Sequence, residues 1–180
     1  MKILLPTEQA LSLFLYTGHI MASANTGDDR AETLLRILTP LLKFRACRDN
    51  VPVATGAMEI RGGNGYIEDW VNPRLIRDAQ VGLLWEGTSN INALDVITRA
   101  VGRVRAHETL HEALGAKLDD AANLPGQFRG QLHTQLDRAV AFAESVARDP
   151  AQEDKARLVT NALYNVASAI LLAWEGCTAG

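Results

Sequence analysis

Residues Gly62 to Ile91 read GGNGYIEDWVNPRLIRDAQVGLLWEGTSNI, and this stretch decides how the rest of the 180-residue chain is read. It opens with Gly62, Gly63 and Gly65 around Asn64. Residues this permissive let backbone amides converge on an anion or on another backbone. On spacing alone a tight helix-to-helix corner with a glycine cap is the plainer explanation. Asn72-Pro73 then opens a short helix expected over residues 73–79, because proline is tolerated in a first turn. Gly82 to Trp85 forms an apolar approach to a Glu86-Gly87 turn. Thr88 or Ser89 caps a helix expected to run to about Ala106, with Ile91, Leu94, Ile97 and Val101 as its buried stripe. Glu86 alone has an ordinary explanation, since a helix dipole favours a carboxylate near its N-terminus.

Working outward toward the N-terminus, a helix is predicted over residues 7–23, with Leu11, Phe14, Leu15 and Ile20 near one face. Asn25-Thr26-Gly27-Asp28 is a loop, and Asp28 or Asp29 can cap the next helix. That helix carries a broad apolar stripe through Leu34, Leu35, Ile37, Leu38, Leu41, Leu42 and Phe44. Pro40 and Pro52 fall inside it and are expected to kink or break it. Arg45, Arg48 and Asp49 are placed on its wetter side. Beyond residue 106, helices are predicted around residues 108–118, 126–148 and 152–174. Their faces carry Leu132, Leu136, Val140, Phe142 and Val146, then Leu158, Leu163, Val166 and Ile170. No stretch alternates with period two. The expected fold is therefore all-α, an up-and-down helical bundle with extra C-terminal helices. Residues 1–106 would form a four-helix-type domain and residues 107–180 a helical tail packed on it.

Composition narrows the function classes. Eighteen basic and 21 acidic residues give a net charge of −3, so the chain lacks the basic footprint of a nucleic-acid binder. Cys47 and Cys177 lie far apart and outside any CxxC motif, so two reduced thiols in a cytoplasmic protein are expected. Lys2, the apolar run at residues 10–16 and Ala22-Ser23-Ala24 imitate a secretory signal. An amphipathic first helix accounts for the same residues better, because Pro6, Thr7 and Glu8 interrupt the early apolar run and Gly18 and His19 dilute the later one. No stretch is expected to be apolar enough, for long enough, to span a membrane.

His107-Glu108-Thr109-Leu110-His111 matches HExxH, which on a helix can bind zinc through two histidines. The third ligand of the extended motif is missing, since the next histidine is His133. A solvated polar turn is the expected role, and no metal site is assigned. Trp174-Glu175-Gly176 repeats the Trp-Glu-Gly tripeptide without a glycine cluster upstream and reads as a helix end. Tyr66 and Trp70 could be core aromatics.

Taken together, Gly62-Gly63-Asn64-Gly65-Tyr66, Arg77-Asp78-Ala79 and Trp85-Glu86-Gly87-Thr88-Ser89-Asn90-Ile91 resemble the acyl-CoA dehydrogenase signature, in order and at the family's spacing. The resemblance covers residues 7–106, the family's C-terminal helical domain. Residues 107–180 resemble, more weakly, the helical tail of an AidB-like branch. The resemblance implies an FAD-dependent α,β-dehydrogenation of an acyl-CoA thioester. Glu86 matches the base that removes the α-proton, Gly87 an acyl-CoA contact and Trp85 a pocket wall. Thr88, Ser89 and Asn90 match a flavin-nucleotide contact. Glu59 to Gly63, with Gly62 and Gly63 at the corner, match a second one, made to the flavin of a neighbouring subunit, which implies a homo-oligomer, dimer or tetramer.

Three departures stand out. Glu59 replaces the usual Gln and puts negative charge near a pyrophosphate. Asn92-Ala93 replaces a frequent Gln-Arg and loses a basic contact. The family's N-terminal helical and β domains are absent from these residues. They would be supplied in cis or by a separate chain, and without them little activity is expected. The electron acceptor is unassigned. The rival reading from a different class is an AidB-like nucleic-acid-binding or oligomerisation module, against which the acidic balance argues.

Overall fold

The computed structural model describes residues 2–178; residues 1, 179 and 180, at the outer ends of the two expected units, lie outside it. Among the described residues there are helices and turns and no strand. Helix α1 spans Leu4–Ala24 and α2 spans Asp29–Ile60. The one-turn α3 (Gly63–Tyr66) leads into α4 (Asn72–Leu84). Helix α5 (Ser89–Asp95) passes directly into a π-helical segment, Val96–Val101. The chain ends in α6 (Ala106–Asp120), α7 (Gly126–Arg148), a 3₁₀ stretch (Pro150–Lys155) and α8 (Ala156–Thr178).

Helix α2 is the axis of the bundle. It touches α1, α3, α4, α5, α6 and α8. Its first turn is held by Asp28, whose carboxylate accepts from the backbone N–H of Arg30 and Ala31 at 2.9 and 3.1 Å. Leu34, Ile37, Leu38, Leu41 and Phe44 are buried along it, as the stripe predicts. The prolines do not end it: Pro40 and Pro52 both lie inside one continuous helix. A proline in a helix interior costs about 3 kcal/mol. Packing of the stripe on several neighbouring helices outweighs that local cost, and Pro40 is itself buried.

Other expectations need correction. Helix α4 runs five residues past Ala79, so Gly82-Leu83-Leu84 is its last turn rather than a separate approach. On α1 the buried residues are Ser12, Leu13 and Thr17, while Leu11, Phe14 and Leu15 are exposed. The reason is polar pairing across to α8. Gln9 donates to the Ser168 hydroxyl at 3.2 Å, and the Ser12 hydroxyl donates to Glu175 at 2.6 Å. The helix following Glu86 buries Ala93, Val96, Ile97, Ala100 and Val101, and Ile91 falls on the opposite, exposed side. It stops short of Ala106 because Arg105 takes a left-handed backbone, φ +57°. Tyr66 and Trp70 are exposed rather than core, and so is Leu158.

Asp49 is buried and Arg45 and Arg48 are half-buried, so this side of α2 is not its wet face. Arg45 donates to Asp49 at 2.8 Å and to Asn161 of α8 at 2.9 Å. Beside this pair Tyr164 is fully buried, and burial, then the Asp49 charge, pushes its phenol up to about 12. The segment Pro150–Thr178 also meets the length and composition of a membrane span, with a mean hydropathy of 1.3 over its most apolar window, contrary to the sequence expectation. Its apolar residues, Val159, Leu163, Val166, Ile170 and Leu171, are spent on the core against α1, α2, α6 and α7. Cys47 and Cys177 are both free thiols.

Candidate functional site

The Glu86 turn is built by the end of α4 and the start of α5. Trp85 closes α4 with its N–H on the Val81 carbonyl at 2.9 Å. Glu86 then adopts φ +53° and Gly87 φ +97°. Glycine accepts a positive φ without penalty, but a glutamate there carries strain of about 1 kcal/mol or more. Such a conformation persists only when the surroundings over-determine it. Asn92 supplies part of that constraint. Its side-chain amide donates to the Gly87 carbonyl at 2.9 Å and to the Thr88 carbonyl at 3.0 Å. The residue that departs from the family pattern thus closes the turn from inside α5.

Glu86 is exposed and opens onto a groove of about 1060 Å³. The groove runs between α1 and α2, walled by apolar residues that include Leu11, Phe14, Leu35 and Leu42. The exposed face of α1 therefore forms one wall of the space in front of the carboxylate.

Besides Glu86, four charged groups line the same groove that the sequence did not single out: Glu32, Arg36, Lys43 and Asp95. Arg36 makes a two-pronged contact with Asp95, at 2.7 and 2.8 Å. This hydrogen-bonded pairing holds the Asp95 carboxyl below the usual carboxylate range, against the opposing effect of burial. Lys43 donates to the Gly82 carbonyl at 2.8 Å. These residues carry no motif. Only their arrival on one groove wall reveals them.

The glycine corner sits elsewhere. Arg61 ends α2 and Gly62 follows with φ +57°. Gly65 is required for a different reason: a Cβ there would stand 2.2 Å from the Met58 carbonyl oxygen. A Cβ on Gly62 or Gly63 would meet nothing within 4 Å. The corner is thus a backbone turn that leaves an open glycine surface, so the structural and the ligand-contact readings coexist. An open two-glycine backbone suits close approach of a phosphate-bearing cofactor such as FAD. The exposed Glu59 one turn earlier does not, since its charge opposes a pyrophosphate. None of Glu59, Gly62 and Gly63 lines the groove in front of Glu86. Trp85 is exposed next to that groove, and Asn90 lines a separate small depression with Arg157. Ser89 accepts a hydrogen bond from Arg48 at 3.3 Å. Burial, and then the neighbouring Arg157 and Arg45 charges, push the Arg48 pKa down.

The HExxH residues point apart. The expected solvated turn is instead the first turns of α6, where His107 is buried with Nδ1 unpartnered and burial pushes its pKa down. His111 Nε2 lies 2.7 Å from Asp137 of α7, and Glu108 pairs with Arg105. Among the described residues no three His, Cys, Asp or Glu side chains are grouped to hold a metal ion.

Comparison with known proteins places these features. The family described as acyl-CoA dehydrogenase, C-terminal domain, matches residues 9–102. Escherichia coli AidB is 33% identical over 162 residues, covering 88% of this chain and 28% of that protein. Because the family match ends at residue 102, this similarity takes in the helical tail as well. Acyl-CoA dehydrogenase family member 11 of Caenorhabditis elegans is 43% identical over 77 residues, 43% of this chain and 12% of that protein. The crystal structure of Caenorhabditis elegans ACDH-11 in complex with C11-CoA superposes with a TM-score of 0.85 at 24% identity, over 96% of this chain and 31% of that one. Bd2924, solved in its apo form, gives a TM-score of 0.72 at 25% identity, over 95% and 31% of the two chains. The chain thus spans under a third of the length of these relatives. With the signature residues in order, the helical fold shared and the family match covering more than half its length, the chain belongs to the acyl-CoA dehydrogenase family, as the C-terminal helical domain of that family.

Proposed function

We propose that this chain supplies the catalytic base and one wall of the substrate site in an FAD-dependent acyl-CoA dehydrogenase. The observation that carries the reading is the placement of Glu86, held exposed in a left-handed turn and opening onto the apolar groove. A carboxylate so placed can take the α-proton of a thioester whose acyl part lies along apolar walls. Enclosing the groove with further protein would exclude water from the reacting atoms. Trp85 and Gly87, on either side of the base in the chain, are the contacts proposed for the substrate. Thr88, Ser89 and Asn90 on one segment, and Glu59, Gly62 and Gly63 on the other, are the contacts proposed for the flavin nucleotide. FAD, when bound, supplies the hydride acceptor. The glycine corner lies away from the Glu86 groove, which suits contact with the flavin of a second subunit in a homo-oligomer. Residues 1–106 form the family domain in this reading, with residues 107–180 as a tail packed on it, in a cytoplasmic protein.

Family N-terminal and β domains, in cis or on another chain, would complete the cavity, and the 180 residues alone are expected to turn over acyl-CoA poorly. The test is Glu86→Gln in the complete flavoprotein. Turnover should fall by on the order of a thousandfold, as for loss of an essential proton acceptor, with flavin content unchanged. Undiminished turnover would remove Glu86 from the chemistry.

A further inference from the structure

Helix α2 holds the Glu86 turn from both sides, and we propose that Arg36 and Lys43 are positioning residues for Glu86. They lie seven residues apart, two helical turns, so both project from one face of α2 about 10 Å apart along its axis. Arg36 grips Asp95, the last residue of α5, through both carboxylate oxygens. Lys43 grips the Gly82 carbonyl in the last turn of α4. That carbonyl belongs to the helix terminus, where carbonyls lack an intrahelical partner and a cation is favoured. The segment between the two grips contains Trp85, Glu86 and Gly87. Its ends are thereby fixed to a single rigid helix.

The strain at Glu86 supports the inference independently of any reaction. A glutamate at φ +53° relaxes unless its flanks are held. Asn92 closes the turn internally but cannot fix its position relative to the groove. The contacts from α2 do that: the short Lys43 and Arg36 grips at its two ends, with the longer Arg48–Ser89 contact at 3.3 Å between them. The pair also explains why the cations sit on the groove wall: they reach across its floor to the elements carrying the base.

The catalytic consequence rests on the reading of Glu86 as the base, whereas the strain consequence does not. Two measurements therefore separate the two ideas. The first is a double-mutant cycle on the 180-residue chain by thermal denaturation. Glu86→Gly relieves the left-handed strain and should raise Tm by about 2 °C in the native background. With Lys43→Met or Arg36→Met the turn is free to relax, and the same substitution should raise Tm by less than about 1 °C. An undiminished gain in both backgrounds would overturn the proposal, whatever Glu86 does chemically.

The second uses the complete flavoprotein. Lys43→Met should lower kcat by on the order of a hundredfold with KM little changed, because a misplaced base costs turnover more than binding. Lys43→Arg keeps a donor toward the Gly82 carbonyl and should recover most of that loss. Equal losses in Lys43→Met and Lys43→Arg, or a change confined to KM, would also overturn it. If Lys43→Met does not fold, the milder Lys43→Gln carries the same comparison.

Discussion

The two flanks of α2 differ sharply. On one side the tail helices α6, α7 and α8 spend their apolar residues on each other and on the bundle. Leu110, Leu114, Leu118, Leu136, Leu163 and Ile170 are fully buried, and Phe128 and Leu158 are the large apolar side chains of these helices left exposed. On the other side, the stretch from Ile60 to Ile91 leaves Ile60, Tyr66, Trp70, Leu84, Trp85 and Ile91 in solvent, the first two more than three-quarters exposed. Exposed aromatic and aliphatic side chains gathered in one segment mark an interaction surface rather than a stable free face. The tail is finished within this chain, and the motif-bearing side is built to meet something else. That contrast explains why the same hydrophobic residues predict burial correctly in α7 and wrongly in α1 and around Glu86.

The largest test of the contrast compares truncations to alanine. Leu136→Ala, at a fully buried position, should cost about 3 kcal/mol of unfolding free energy in the isolated chain. Trp85→Ala removes a larger side chain and should cost about 1 kcal/mol or less there, since most of it is exposed. Urea denaturation of both variants decides it; similar losses would mean the two flanks are equally finished. Next comes the glycine corner. Gly65→Ala drives a Cβ into the Met58 carbonyl and should cost about 2 kcal/mol. Gly63→Ala meets open space and should be nearly silent in stability. A loss of cofactor binding from Gly63→Ala in the complete protein, without loss of stability, would sharpen the corner's role into ligand contact.

Acidification should separate the flanks by the smallest margin. Burial lowers the folded-state pKa of His107 in the tail. The unfolded chain therefore binds the proton more readily, and stability is kept above about pH 6.5 and eroded as pH falls below it. Glu108 and Glu144 oppose that shift, while Arg105 and Arg148 support it. Asp95 on the motif-bearing side behaves at lower pH. Its carboxyl is held down by Arg36, so that contribution persists above about pH 4 and is lost as pH falls through the folded value. Stability curves for His107→Gln and Asp95→Asn should flatten in these two separate windows. Flattening in the same window would show that the two groups are not titrating as their surroundings dictate.

Much of this was legible in the residues. The Asp28 cap, the apolar stripe of α2, the corner at Gly62 and the bounds of α7 follow from local chemistry that the fold respects, whereas Thr88 heads α5 without a side-chain cap bond. The prolines in α2 misled because local propensity is a weak term beside the packing of a long central helix. The face of α1 misled because periodicity shows where apolar residues are, and says nothing about which partner they are for.

By itself, then, the sequence determined the helical class, the family and the identity of the candidate base, because capping, periodicity and ordered motifs act over short spans of chain. The tertiary structure alone decided which apolar face is buried, that Glu86 sits in a left-handed turn beside a groove, and that Arg36, Lys43 and Asp95 converge on that turn. Those outcomes depend on contacts between residues from 39 positions apart, as for Lys43 and Gly82, to 163 apart, as for Ser12 and Glu175, and no local pattern records them.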